Sequence, residues 1–240
     1  MNTSPALDNL LRRGDIWRGR RAGRRGEVRE TGLAELDRHL VGGGWPLGGL
    51  VEVSYPRLGS GEWRLLAGTL RHCAGHGGYL VLVNPPALPC APALAQLGVP
   101  LERLLLVHPG SRADLLCAVL ETLRSGCAQG LLFWEARQAL SYAELRKVQL
   151  AAADTDALCL MMRVGRRPGA SPAVLRLALA ARGDGPELTI LRQRGGPADV
   201  RLALSWPAGW SLQPFDPSLA QRPRQAGEAD EALPGSAGLG

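Results

Sequence analysis

Residues 50–75, "LVEVSYPRLGSGEWRLLAGTLRHCAG", decide how this chain is read. An apolar run, Leu50-Val51-Glu52-Val53, leads into a turn crowded with glycine and serine. Beyond it, Trp63, Leu66, Leu70 and Cys73 recur at three- and four-residue steps, the period of an amphipathic helix. Strand, glycine turn, helix is the topology of a phosphate-binding loop, in which backbone N–H groups at a helix N-terminus surround the phosphates. Such a loop also carries a Lys for the β/γ-phosphates and a Ser or Thr for Mg²⁺. Glu62 and Trp63 stand in those two places. An anion there repels triphosphate, and an indole cannot ligate magnesium. Gly59, Ser60, Gly61, Glu62 and Trp63 therefore read as a degenerate phosphate loop. No cofactor and no enzymatic activity are expected from it. The competing reading is a plain glycine turn with Trp63 packed as core.

Outward from this stretch, apolar runs and amphipathic segments alternate. "YLVLVNPP", "RLLLVHP", "QGLLFWEA" and "ALCLMMRV" are short continuous apolar runs, the mark of strands covered on both faces. Between them, "APALAQLG", "SRADLLCAVLETLRSG" and "SYAELRKVQLAAADTD" read as helices, with Ser111 a cap and Gly126 a stop. The order β-α-β-α-β-α-β-α-β over Leu50 to Val164 predicts an α/β fold: a mainly parallel sheet flanked by helices. Thr31 reads as the N-cap of a helix over "GLAELDRHL". From Ser171 the pattern becomes alternating. "PAVLRLALAAR", "ELTILRQRGG" and "VRLALSW" predict antiparallel strands, the first two joined as a hairpin at "GDG", added at the C-terminal edge of the sheet.

Other catalytic stations are weak. A metal-holding Asp would end the strand "GLLFWEA", but Phe133-Trp134-Glu135 stand there, and one carboxylate is little. Ser60 lacks the G-x-S-x-G spacing of a nucleophile elbow. Asn84-Pro85-Pro86 ends a strand where α/β folds often hold ligands, though a rigid strand exit explains it as well. The five cysteines, at 73, 90, 117, 127 and 159, show no C-x-x-C pair and read as small buried residues of a reducing compartment. The four histidines are scattered, and no metal site is expected.

The 240 residues and their 45% apolar content suit one domain with tails. No stretch approaches the ~20 apolar residues of a membrane span, and no secretory signal is visible, so a cytoplasmic protein is expected. Residues 1–30 form a basic arm, with eight Arg against four acids in a chain of net charge +6. Within it, Leu7, Leu10, Leu11 and Trp17 suggest a short partner-binding helix. Arg20, Arg21, Arg24 and Arg25 could meet nucleic acid phosphates without sequence preference. Arg166 and Arg167, with Arg163 just before, form a second basic loop after a strand that could also contact DNA. A solvated arm and loop are the alternatives. The body spans 31–210. Residues 211–240, rich in Pro, Gly, Ala and acid, predict a disordered tail.

"TGLAELDRHLVGGGWPLGGLVEV" resembles the opening of RecA-like ATPase cores. With Gly44-Trp45-Pro46, "YLVLVNPPALPCAPALAQLGV", "LLLVHP", "LRSGCAQGLLFWEA", "LRKVQLAAADTDALCLMMR", "SPAVLRLAL" and "RQRGG", the stretch from about Trp17 to Trp206 resembles the ImuA family. These proteins accompany translesion DNA synthesis in bacterial damage-inducible cassettes. The resemblance implies a RecA-like core and a non-catalytic adaptor of SOS-induced mutagenesis. Its implied partners are an ImuB-type Y-family polymerase relative and, indirectly, an error-prone C-family polymerase, with RecA or self also possible. The segment from about Gly61 to Val164 is similar to SulA, the SOS-induced division inhibitor that binds FtsZ. SulA proteins lack the "TGLAELD…GGGWPLGG" lead-in and the long second half. A division inhibitor and an active RecA-like ATPase remain the alternative functions.

Overall fold

The computed structural model describes residues 27–204, apart from 76–77, 97, 136–137, 166–168 and 183–184. A two-stranded hairpin, β1 (Val28–Arg29) with β2 (Trp45–Pro46), brackets the one-turn helix α1 (Ala34–Asp37). Then follow β3 (Leu50–Tyr55), α2 (Glu62–Gly75), β4 (Tyr79–Val83), α3 (Ala91–Gln96), β5 (Leu104–Val107), α4 (Arg112–Ser125), β6 (Ala128–Trp134), α5 (Tyr142–Ala153) and β7 (Leu158–Val164). The chain continues through β8 (Leu175–Arg182), β9 (Gly185–Gln193) and β10 (Val200–Ala203). Strands β3 to β10 form one sheet in the order β10-β9-β8-β3-β7-β6-β4-β5. The pairs from β8 to β5 are parallel, and β9 and β10 are antiparallel additions. The fold is therefore mixed α/β, with a large, mostly parallel sheet flanked by helices and extended by antiparallel strands.

Alternating side chains of the buried strands feed two cores, as the period of 2 requires. On one face Val51, Val53, Leu80, Leu82, Leu132, Leu158, Leu160 and Met162 pack under α2 through Leu65, Leu66, Leu70 and Cys73. Trp45 and Leu36 of the lead-in join this core. On the other face Leu50, Val81, Val83, Leu131, Phe133, Cys159 and Met161 meet α4 (Leu115, Val119, Leu123) and α5 (Leu145, Val148, Ala152). Trp45 is wholly buried, and its indole Nε1 donates to Thr69 Oγ1 at 2.7 Å. Thr69 in turn donates to Thr31 O at 3.2 Å, so the lead-in is bolted onto α2. Gly32 and Gly68 approach so closely that a Cβ on either would lie 3.0 Å from the other's Cα.

Local signals held at several boundaries. Ser111 caps α4, accepting from Asp114 N at 3.1 Å, and Gly126 ends it at φ +69°. β8 and β9 pair as a hairpin as far as Arg182↔Gly185. Other expectations are corrected. Thr31 does not cap α1: the N-cap is Leu33, and Thr31 Oγ1 instead accepts from Leu33 N in a local turn. β8 is not purely an antiparallel strand, since its other neighbour is β3, to which it runs parallel. Cys73 and Cys159 are buried, but Cys90, Cys117 and Cys127 are exposed, because they lie on the outer faces of loops and of α4. Burial pushes the Cys159 thiol up to about 12, and also raises Cys73. No helix is long and apolar enough to cross a membrane among the described residues.

Candidate functional site

The carboxyl ends of the parallel strands are where open α/β sheets hold ligands. At this rim lie the 56–61 loop after β3, Asn84 after β4, Glu135 after β6 and Gly165 after β7. The 56–61 loop connects the central strand to the N-terminus of α2, as the sequence predicts. Gly59 (φ +78°) and Gly61 (φ +99°) adopt backbone angles that glycine alone takes without cost.

The loop is filled by its own side chains. Glu62 begins α2, 3% exposed, and its Oε1 accepts from Gly59 N at 3.0 Å. A carboxylate at a helix N-terminus is favoured by the orphan N–H groups there. It occupies the position in the turn where an anionic ligand would otherwise be bound. Ser60 is also 3% exposed, and its hydroxyl donates to Arg57 O at 2.6 Å, closing the turn from within. Pro56 adds a feature that the sequence reading missed. In the pattern G-x-x-x-x-G-K-[ST], Gly61 takes the second glycine and Pro56 the first. Proline has no N–H to offer.

Aromatic packing seals the side of the loop. Trp63 lies against Trp134 at the end of β6, ring centroids 6.1 Å apart at 39°. Trp134 Nε1 donates to Tyr55 Oη at 2.8 Å. Burial drives the Tyr55 phenol well above its ordinary range despite that donated hydrogen bond, and the charge of Glu62 adds to the rise. The phenol stays protonated. Trp63 is half-buried and packs against the core, as the reading of it as a packing tryptophan expects.

On the opposite face of the sheet lies a charged cluster that no sequence spacing announced. Arg163, near the end of β7, is 6% exposed and pairs with Glu135 (3.2 Å) and Glu52 (3.6 Å). Arg176 on β8 reaches the same Glu52 oxygen at 3.1 Å and also donates to Gly169 O at 2.8 Å. Glu135 further accepts from Leu140 N. Two acids and two arginines thus neutralise each other inside the sheet rim. The expectation that Arg163 could meet nucleic acid is corrected: its guanidinium is spent on buried carboxylates. Glu135, weighed as a metal ligand, is held in the same network. No group of three or more His, Cys, Asp or Glu placed to hold a metal occurs among the described residues.

Asn84 takes φ +56°, tolerated by asparagine, and ties three strand ends together. Its amide Nδ2 donates to Trp134 O at 3.1 Å and its N–H to Val107 O at 2.7 Å. It is a strand exit, in keeping with the structural reading. Leu7, Leu10, Leu11, Trp17, Arg20, Arg21, Arg24, Arg25, Arg166 and Arg167 lie outside the described residues.

No family model matches this chain, and no curated protein matches it. Among solved structures, the crystal structure of SulA from Pseudomonas aeruginosa is similar to it at 30% sequence identity. That match covers 48% of this chain and 98% of the SulA chain, with a TM-score of 0.41.

Proposed function

We propose that this chain is a non-catalytic, RecA-like accessory protein of damage-induced translesion synthesis, acting by holding protein partners together. The observation that carries the reading is the closed loop. Glu62 takes the Gly59 amide and Ser60 turns inward, and both contacts argue against a triphosphate seated in this turn. A fold without a nucleotide switch works through its surfaces. The family resemblance supplies the partner class: an ImuB-type Y-family polymerase relative, with an error-prone C-family polymerase behind it. Leu7, Leu10, Leu11 and Trp17 are the proposed partner anchor, since aromatic and apolar residues dominate interface energetics. Arg20, Arg21, Arg24, Arg25, Arg166 and Arg167 are the proposed sites of non-specific DNA contact, in a cytoplasmic protein.

The test is affinity capture of the tagged full chain from DNA-damaged cells, with identification of what is retained. A Y-family-like protein together with a C-family polymerase supports the proposal. FtsZ without polymerases replaces it with a division inhibitor. ATP-dependent retention of any partner contradicts the closed loop.

A further inference from the structure

Strand β5 (Leu104–Val107) is one edge of the eight-stranded sheet and pairs with β4 on one side only. Leu105 is 42% exposed and Leu106 41%, and successive side chains point to opposite faces, so both faces of the strand stay open. Val107 O accepts from Asn84 N at 2.7 Å, which sets the phase of the strand. A residue's N–H and C=O point to one side of a strand and the next residue's to the other. Leu105 and Val107 therefore face β4, while Leu104 and Leu106 face the open edge. Leu104 N–H turns back to Leu101 O in the 3₁₀ turn Leu101–Arg103. No described residue takes Leu106 N–H, Leu106 C=O or Leu104 C=O. An open edge is a template for a further strand, and proteins usually block it with charge, proline or a bulge. The opposite edge, β10, carries Arg201, whereas β5 carries only Leu and Val.

The ends of the open stretch identify the occupant. It starts after the 3₁₀ turn and stops at Pro109, which has no N–H to donate. The stretch is thus Leu104–His108, and its midpoint is Leu106. A second copy of the strand, laid antiparallel about a two-fold axis at Leu106, meets it in register. The two Leu106 residues then exchange N–H to C=O bonds, and Leu104 C=O accepts from His108 N–H of the second copy. Side chains match as well. Leu105 lies beside Val107 of the second copy on one face, and the two Leu106 side chains meet on the other. Arg103 comes opposite Pro109, so no like charges oppose each other. A two-fold contact requires this self-complementarity. We propose that β5 is the seam of a closed dimer, which joins two eight-stranded sheets into one through paired Leu106 residues. Such a short seam belongs to the weak class of interfaces, which bury under ~1,200 Å². Closure about the two-fold axis uses up the edge, so the product is a dimer and not a filament. The inference concerns the isolated chain and is independent of the partner reading above.

Sedimentation velocity of the full chain, taken to about 200 µM for a weak interface, should show monomer and dimer in exchange. Leu106→Lys and Leu106→Asp each set like charges across the axis and should leave monomers. Circular dichroism should not change, because the side chain is already 41% exposed. An equimolar mixture of the two variants should dimerise about tenfold more tightly than either alone. A wild-type chain that stays monomeric overturns the proposal. So does a dimer that survives both substitutions, a mixture that stays monomeric, or a ladder of higher oligomers. Should a charge variant fail to fold, the second measurement is oxidation of Leu106→Cys in a chain with the exposed Cys90, Cys117 and Cys127 changed to serine. The paired Leu106 Cα atoms lie about 5.5 Å apart in this register, within disulfide reach, and the two Leu105 Cα atoms beyond about 7 Å. Leu106→Cys should therefore give several-fold more disulfide dimer than Leu105→Cys, and equal yields overturn the proposal.

Discussion

Restoring the two missing residues of the phosphate loop, with Glu62→Lys and Trp63→Thr together, should weaken the protein and bring no nucleotide. The Glu62 carboxylate accepts from Gly59 N at 3.0 Å while 3% exposed. Losing a hydrogen bond to a charged group costs about 1.5–3 kcal/mol. Trp63 is half-buried, and its ring meets Trp134 with centroids 6.1 Å apart. An aromatic pair contributes about 0.5–1.5 kcal/mol beyond its buried area, and truncating a half-buried ring adds a comparable packing loss. The pair of changes should therefore cost about 3–6 kcal/mol, a large share of the ~5–15 kcal/mol typical of a domain. Pro56 still has no N–H at the head of the loop, and Trp134 and Tyr55 still seal its flank. Urea denaturation of both proteins with and without Mg-ATP measures both halves of the claim. A bound ligand at 100 times its Kd would raise stability by about 2.7 kcal/mol. An ATP-dependent rise of that order in the double variant would refute the reasoning, because it would mean that only two side chains separate this loop from a working site. Loss of under ~1 kcal/mol would equally refute the role assigned to Glu62.

Three further outcomes follow from the geometry. Arg163→Met removes the arginine that Glu135 and Glu52 share and leaves Glu52 to Arg176, and breaking the buried Arg163–Glu135 pair from one side should cost about 3–5 kcal/mol, read by urea titration. Gly44→Ala forces a Cβ against Arg29 O and should cost about 1–3 kcal/mol by overpacking, a shift visible in the thermal midpoint. Glu144 closes a capping box on Ser141 at the start of α5 and meets Arg112 of α4. The Ser141 hydrogen bonds, then Arg112, lower its carboxyl from the ordinary 4.5 to about 2. Its folded value lies below its unfolded one, so its stabilisation is complete above about pH 4.5 and is lost as pH falls toward 2. Ser141→Ala should cost about 1 kcal/mol at neutral pH and flatten the acid limb of the stability curve; a limb of unchanged steepness would assign the acid sensitivity elsewhere.

The parallel core was legible because its strands are continuous apolar runs and its helices carry local punctuation: Ser111 before α4, Gly126 after it. What escaped the sequence is what depends on the third dimension. β8 alternates Leu175, Leu177 and Leu179 with Arg176, Ala178 and Ala180, and that alternation is the same whether its neighbour runs with it or against it. Thr31 carries a capping side chain, but Oγ1 finds a nearer N–H two residues on, and the helix starts later. Glu52, Glu135, Arg163 and Arg176 looked like unrelated charges in apolar strands because 124 residues separate the outermost pair that touches. Pro56 was visible all along, and lining up all eight positions of the phosphate-loop pattern, rather than its last two, would have found it.

Both clusters at the rim follow from one turn of the chain at the end of β6. Successive strand residues point to opposite faces, so Trp134 goes to the face of α2 and Glu135 to the face of α5. Trp134 completes the aromatic seal on the loop, and Glu135 completes the charge network that Arg176 ties to Gly169 O. The first cluster is held by the Trp134–Tyr55 hydrogen bond and packing on Trp63, the second by two arginines, while one carboxylate oxygen each of Glu52 and Glu62 and the Nε of Arg163 and of Arg176 are buried without a hydrogen-bond partner. A nucleotide switch uses N–H groups open to phosphate and a carboxylate open to a metal at this same rim. Here Glu62 accepts from Gly59 N in the turn after β3, and Glu135 pairs with Arg163 at the end of β6.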